Sequence, residues 1–218
     1  MKRALTLVAA LTIVMVGTHG ARADETPDPD RPGVDLAVRT GYALPFGKIS
    51  NAAGDSLTDG ISGAVPLVVD ALYRFNQEFG AGVLFQYAFA QTKDSASGCG
   101  NGVNCSASAI HLALQGVYRP VVSGPIAPWL GIGTGYEWFQ VTASANGLSA
   151  SGSVSGFEFL LVQAGGDFKV APQFTLGPFV MFSLGEYRSQ SVGGTSMDIS
   201  GTAMHEWLEL GVRGTFSL

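Results

Sequence analysis

The last fifteen residues of the chain constrain its fold most, because their apolar and polar residues alternate. One face of segment 204–218 carries Met204, Leu208, Leu210, Val212, Gly214, Phe216 and Leu218, and the other carries His205, Trp207, Glu209, Gly211, Arg213, Thr215 and Ser217. A period of two indicates a β-strand. A strand with one apolar face, one polar face and the chain terminus at its end is typical of the strand that closes a bacterial outer-membrane barrel.

The composition agrees with such a barrel. The 218 residues include 30 glycines, only 13% are charged, and the mean hydropathy is +0.27. Beyond the N-terminal segment, no apolar run reaches the length of about 20 residues that a membrane-spanning helix needs. Apolar residues that are spread by alternation, and not gathered in runs, are the pattern of a transmembrane β-barrel.

Residues 1–23 are predicted to be a cleaved signal peptide. Lys2 and Arg3 precede an apolar stretch at 4–16, and Ala21-Arg22-Ala23 forms a small-residue cleavage site. Residues 24–33 are polar and rich in proline, which predicts a short periplasmic leader before a barrel at 34–218. Cleavage leaves 9 basic against 17 acidic residues, a net charge of −8, which argues against nucleic-acid binding.

Eight alternating segments follow one another along the chain. They lie at 34–44, 65–75, 79–91, 108–119, 129–141, 154–170, 174–187 and 204–218. Long connections rich in Gly, Ser and Ala alternate with short turns, as in an up-and-down barrel with longer external loops and short periplasmic turns. The sequence therefore predicts an all-β fold, an eight-stranded antiparallel up-and-down transmembrane β-barrel.

The sixth and seventh segments do not alternate cleanly. Phe157, Phe159 and Leu161 lie opposite the apolar face formed by Leu160 and Val162, and Phe179 and Met181 oppose another apolar set in the seventh segment. Two interpretations remain open. Either a bulge changes the register of these strands, or this side of the lumen is packed with apolar side chains.

Ten charged residues fall on the inward face of the predicted strands. They are Asp35, Arg39, Asp70, Arg74, Arg119, Glu137, Asp167, Lys169, Glu209 and Arg213, five acids and five bases. Spacings of two and four residues keep the members of a pair on one face of a strand. We interpret these residues as a charge network inside the lumen.

The width of the barrel favours a filled lumen, because eight strands leave room for little beyond their own side chains. A structural or surface-interaction role follows from that reading. The alternative is a small porin-like channel for polar or amphipathic solutes, in which alternative ion pairs open a path. The inward glycines Gly131, Gly133 and Gly135 leave space for water, a ligand or a bulky neighbour.

The remaining chemistry is sparse. Cys99 and Cys105, close together in an exported chain, predict a disulfide. We expect no metal and no cofactor, because few Cys and His are present and the Gly-x-Gly-x-Gly run at 131–135 lies inside a strand. A lipid-modifying enzyme is less favoured, since His205 and Glu206 point to opposite faces and no nucleophile motif accompanies them. We interpret His205 and Trp207 as residues of the barrel rim.

Several segments resemble a known family. GYALPFG after residue 40, YRFNQEFGAGVLFQYAF at the first short turn and LGVRGTFSL at the end resemble the small outer-membrane β-barrel proteins of the OmpA, OmpX and OmpW type. The resemblance implies the cell outer membrane of a Gram-negative bacterium, contact with lipid and lipopolysaccharide, and insertion by the barrel assembly machinery. The family commonly ends in Phe or Trp, whereas Ser217 and Leu218 follow Phe216 here.

Overall fold

A computed structural model describes residues 32–52, 56–93, 99–100 and 102–218. The predicted signal peptide and nearly all of the predicted leader lie outside these residues, so both stay predictions. Among the described residues the one helix is α1, Leu57–Gly60, and none is long and apolar enough to cross a membrane.

The chain folds into antiparallel β-strands that close in a ring. The strands are β1 Gly33–Gly47, β2 Ile61–Arg74, β3 Phe79–Thr92, β4 Asn104–Tyr118, β5 Ile126–Ala145, β6 Leu148–Ala171, β7 Phe174–Val192, β8 Thr195–Asp198 and β9 Met204–Ser217. Each barrel strand pairs with its neighbours in the chain, β7 pairs with both β6 and β9, and β9 returns to β1. The short strand β8 pairs only with β7, so the ring has eight strands and the predicted barrel is confirmed.

The seam between β1 and β9 closes the ring over thirteen consecutive residue pairs, from Asp35 opposite Ser217 to Gly47 opposite His205. Gly41 lies directly opposite Gly211 near the middle of this seam. A Cβ atom built on Gly41 would lie 2.7 Å from the Cα atom of Gly211. The two glycines therefore allow the first and last strands to approach closely at this point.

The two ends of the barrel differ. One end, here called the turn end, holds the three short connections 75–78, 119–125 and 172–173. The first residues of β1 and the last residues of β9 also lie there. The other, the loop end, holds the longer connections between β1 and β2, β3 and β4, and β7 and β9, together with the β5–β6 hairpin. The alternation of connection lengths is the one that the sequence predicts, except that β5 and β6 are joined by a two-residue turn.

The outward face of the strands forms an apolar belt, and the inward face is buried. Val38, Leu114 and Val212 are 48%, 65% and 52% exposed, whereas Arg39 and Arg213 are fully buried. Aromatic rings meet in pairs at two levels of the belt. These pairs are Tyr73 with Phe75 and Phe79 with Tyr118 towards the turn end, and Tyr87 with Phe89 and Tyr136 with Trp138 towards the loop end.

Both interpretations of the sixth and seventh segments hold, each for a different strand. In β6 the register shifts between Glu158 and Leu160, so Phe157 and Phe159 face outward while Leu161 faces inward at 1% exposure. In β7 the alternation is regular, and Phe179 and Met181 are buried in the lumen at 4% and 5% exposure. A bulge and an apolar patch of the lumen therefore lie side by side.

Two segments expected to be loops are largely β-structure. The predicted loop at 142–153 is a β-hairpin that turns at Asn146 and Gly147, whose φ angles are 52° and 79°. Positive φ at both central residues is what a tight two-residue hairpin requires, and Asn-Gly supplies it. The predicted loop at 188–203 is similar, since β7 and β8 turn at Gly193 and Gly194. The predicted disulfide between Cys99 and Cys105 is present at the loop end.

Candidate functional site in the barrel lumen

A ring of four side chains crosses the middle of the lumen. Arg39 on β1 donates from Nε and Nη2 to the two carboxylate oxygens of Asp70 on β2, at 2.5 and 2.8 Å. Gln115 on β4 donates to Asp70 at 2.7 Å, and Gln163 on β6 donates to Gln115. Arg39 Nη1 donates to Gln163 Oε1 at 2.5 Å and completes the ring. All four side chains are at most 3% exposed, so the central ring satisfies its buried charges within itself.

The central ring uses space that glycine provides. A Cβ atom on Gly131 would lie 2.6 Å from Cγ of Gln163. The space that the inward glycines of β5 leave is therefore occupied at this position by a bulky neighbour, the Gln163 side chain.

Aromatic rings accompany the two buried arginines. The guanidinium of Arg213 lies 4.3 Å from the ring centroid of Trp129, and that of Arg39 lies 5.3 Å from both Trp129 and Phe179. Asp167 accepts a hydrogen bond from Trp129 Nε1 at 3.2 Å and lies 4.0 Å from Arg213. Cation–π attraction is strongest at such desolvated sites, so these rings stabilise the two cations beside their carboxylates.

A third group of charges lies at the turn end. Asp35 forms ion pairs with Arg74 at 3.1 Å and with Arg119 at 2.9 Å, and it accepts a hydrogen bond from Ser217 at 2.7 Å. These residues line an open cavity of about 290 Å³. Lys169 also lines this cavity, where its side chain is exposed, so it lies with this open group of charges and outside the buried part of the lumen. It lies three residues from the β6–β7 turn, beyond the buried part of the strand.

Another group of buried polar side chains, here called the histidine cluster, lies nearer the loop end. Glu137 on β5 accepts a hydrogen bond from Tyr187 at 2.6 Å and lies 3.0 Å from Nε2 of His205. Nδ1 of His111 on β4 lies 3.1 Å from Oε2 of Glu158 on β6, and Nε2 of His111 lies 3.9 Å from Oε1 of Glu137. Tyr187 stacks on the imidazole of His205 with a centroid distance of 3.8 Å. Each of these five side chains is at most 4% exposed.

The interpretation of His205 and Trp207 as rim residues is wrong. His205 is fully buried in the histidine cluster, and Trp207 is 5% exposed within an apolar cluster beside it. The alternation of segment 204–218 already placed both on the inward face with Glu209. The error was in their height along the barrel, because β9 continues the wall as far as Met204 and the loop-end connections cover it.

An apolar cluster separates the histidine cluster from the loop end. Phe139 and Trp207 from the wall pack with Leu57 of α1, Ile61 at the start of β2 and Ile199 from the last connection. Leu57 is 1% exposed and Ile199 is 9% exposed, although both belong to loop-end connections. The loop-end connections therefore turn apolar side chains into the mouth of the barrel.

An acid and a base that lie four residues apart on one strand share its inward face, but they do not pair with each other. The ion pairs join residues of different strands. Arg39 bonds to Asp70, and Asp35 bonds to Arg74 and Arg119. Four residues of an extended strand span about 13 Å, which is too far for a direct ion pair, whereas facing strands bring side chains into contact. Glu209 is buried at 1% exposure, and its Oε1 has no hydrogen-bond partner among the described residues.

Comparison with known proteins supports the architecture. No protein-family model and no curated protein matches the sequence. Neisserial surface protein A is 15% identical over 84% of this chain and 98% of its own, with a TM-score of 0.50. A major outer membrane protein of Thermus thermophilus is 12% identical over 86% of this chain and 100% of its own, with a TM-score of 0.51. The chain has the fold of the small outer-membrane β-barrel proteins.

A third similar structure is that of a protease. The outer membrane protease OmpT of Escherichia coli is 9% identical over 89% of this chain and 100% of its own, with a TM-score of 0.47. Similarity of this size does not bear on the activity of the present barrel. The resemblance noted in the sequence is thus confirmed for the fold, and the fold does not choose a function.

Sequence reasoning missed several members of the site. Gln115, His111 and His205 were on the inward faces, but uncharged residues were not counted into the network. Glu158 was missed for another reason. The strict alternation that places Gln163 and Asp167 inside would place Glu158 outside, and only the bulge in β6 turns it inward.

The central ring predicts a large effect of a single substitution on stability. Arg39→Met leaves Asp70 without its cation in a dry environment, so we expect the free energy of unfolding to fall by about 3–5 kcal/mol. The matched control is Arg188→Met. Arg188 is exposed and lies 3.5 Å from Glu186, so its loss should cost about 0–1 kcal/mol.

Urea unfolding in phospholipid vesicles, followed by tryptophan fluorescence, measures both variants. Equal losses in the two variants would contradict the assignment of the central ring as a buried network.

Proposed function

We propose that this protein is an integral outer-membrane barrel with a structural or surface-interaction role and a lumen that its own side chains fill. The central ring carries the proposal, because it links β1, β2, β4 and β6 across the lumen with hydrogen bonds. The apolar cluster at the loop end supports it, since Phe139, Trp207 and Leu57 pack over the histidine cluster. A solute would have to displace both.

The location in the outer membrane follows from the outer surface of the barrel. Its apolar belt would contact the lipid chains, and lipopolysaccharide would surround the loop end. Insertion by the barrel assembly machinery would leave the short turns in the periplasm and the longer connections outside, as in barrels of this kind. The histidine cluster does not by itself argue for an enzyme, because its side chains are buried beneath the apolar cluster, which would bar a substrate.

The surface-interaction role rests on the β5–β6 hairpin. β5 has 20 residues and β6 has 24, against 14 or 15 in β1 to β4. β4 pairs with β5 as far as Ser144, and β7 pairs with β6 as far as Gly152, so the tip of the hairpin at 145–151 extends past its neighbours. A cavity of about 200 Å³ lies between this hairpin and β7, and Phe139, Val141 and Val192 contribute to its lining. This apolar concavity is where a surface partner would be held.

Planar-bilayer recording tests the filled lumen against the channel alternative. We expect the purified protein to give no reproducible conductance steps, because the central ring and the apolar cluster leave ions no hydrated path. Steps that recur and change in size with Arg39→Ala or Glu209→Ala would contradict the filled lumen and support a small channel. The wild-type protein must first be shown to be folded, by its β-sheet circular dichroism.

Cysteine labelling in intact Gram-negative cells tests the location and the orientation. Ser149→Cys lies on the exposed part of the β5–β6 hairpin and Gln173→Cys on a turn at the other end. We expect a membrane-impermeant maleimide to label the first variant in intact cells and the second only after the outer membrane is permeabilised. The native cysteines are joined in a disulfide and give no background. Labelling of Gln173→Cys alone in intact cells would contradict the proposed orientation.

A further inference from the structure

The histidine cluster contains three side chains with the atoms and the spacing of a metal site. His111, Glu137 and Glu158 each offer one ligand atom, and these atoms lie within 4.8 Å of one another. They come from three consecutive strands, β4, β5 and β6. All three side chains are at most 4% exposed, so a bound ion would be shielded from water.

The charge balance of the lumen favours a cation at this place. Six carboxylates are at most 7% exposed, namely Asp35, Asp70, Glu137, Glu158, Asp167 and Glu209. The ion pairs with arginine involve Asp35, Asp70 and Asp167. Among the described residues, no Arg or Lys forms an ion pair with Glu137 or Glu158. Buried carboxylates need a compensating positive charge, and here that charge must come from imidazolium or from a metal ion.

A change in the backbone brings Glu158 into the cluster. The register of β6 shifts between Glu158 and Leu160, opposite Gly135 of β5. Without this bulge Glu158 would face outward while Gln163 faces inward. Bulges occur next to functional sites because they re-aim one side chain without disturbing the rest of the strand. The bulge therefore buries a carboxylate that a regular strand would leave in lipid.

Two polar atoms of the cluster lack a hydrogen bond. Oε1 of Glu158 and Nδ1 of His205 are buried and have no partner among the described residues. A buried unsatisfied oxygen on a carboxylate is costly, and coordination of a cation would remove that cost.

We propose that His111, Glu137 and Glu158 bind a divalent transition metal ion of the zinc class inside the lumen. One imidazole and two carboxylates suit such an ion and leave a fourth position open. In a tetrahedral site with bonds of about 2.1 Å, ligand atoms lie about 3.4 Å apart. Nδ1 of His111 lies 3.1 Å from Oε2 of Glu158, and its other nitrogen, Nε2, lies 3.9 Å from Oε1 of Glu137. One ligand atom from each of the three residues lies within 4.8 Å of the others, so an ion that binds one imidazole nitrogen requires the two carboxylates to close in on it.

The neighbouring residues orient one of the ligands. Tyr187 donates to Oε1 of Glu137, and Nε2 of His205 lies 3.0 Å from Oε2. Hydrogen bonds of this kind fix a ligating carboxylate and raise its affinity for the metal. Tyr187 and His205 are therefore positioning residues. The ion would tie β4, β5 and β6 together at the point where the bulge interrupts the regular pairing of β5 with β6.

Metal analysis of the refolded protein tests the site. The full chain is unfolded with a chelator, refolded in detergent with Zn²⁺ so that the buried site is accessible, and freed of excess ion. We expect about one zinc per folded chain by elemental analysis and a higher melting temperature than after refolding without metal. Refolding with Mg²⁺ is the matched control, and it should change neither quantity.

Three variants make the result specific. Glu158→Gln keeps the shape of the side chain and should abolish stoichiometric zinc and the shift in melting temperature. Tyr187→Phe should weaken zinc binding by roughly 10–100-fold, the usual effect of removing an orienting hydrogen bond. Glu206→Gln, on the outward face next to His205, should leave zinc binding unchanged.

Two results would overturn the proposal. A wild-type protein that refolds to the same β-sheet circular dichroism without retaining zinc would show that protonated imidazoles alone balance the carboxylates. Zinc that is retained equally by Glu158→Gln would place the ion elsewhere.

Discussion

Closure of β1 on β9 is the constraint on which the rest of this structure depends. In lipid, every backbone N–H and C=O must find a partner within the protein, so a sheet can span the bilayer only when it has no free edge. Thirteen consecutive residue pairs form this seam, and the opposed Gly41 and Gly211 let the two strands approach. Eight strands then fix the diameter of the ring, and the diameter fixes how much the lumen can hold.

The narrow lumen explains why its charges are arranged in layers. Side chains from all sides meet at the centre, so an unpaired charge there would have neither water nor a partner. Arg39 and Asp70 meet this demand with two glutamines. Arg213 lies 4.0 Å from Asp167 and over the face of Trp129, and its guanidinium nitrogens have no hydrogen-bond partner among the described residues. The histidine cluster differs from these layers, because its carboxylates contact no arginine or lysine among the described residues, and this difference points to a bound cation.

The sequence predicts the fold well because alternation and connection length are local properties. It predicts the inward charges for the same reason, although alternation does not show that Lys169 lies at the open turn end, past the buried part of β6. Partners are harder to predict, since the ion pair of Arg39 with Asp70 depends on packing across strands. Glu158 could not be placed by alternation, because one bulge inverts the faces of β6. The hairpin at Asn146-Gly147 could have been predicted, because Asn-Gly is typical of a two-residue hairpin turn. The Ser, Ala and Gly content of the surrounding segment favoured a loop instead.

Water contact with the lumen side chains tests the central claim, that the protein's own side chains fill the barrel. Solid-state NMR in lipid bilayers can measure magnetisation transfer from water to side-chain nitrogens. We expect rapid transfer to Arg74 and Arg119, which line the open cavity at the turn end, and little transfer to Arg39, Gln115 and Gln163. Equally rapid transfer to all five side chains would mean that water passes through the central ring, and would contradict the account.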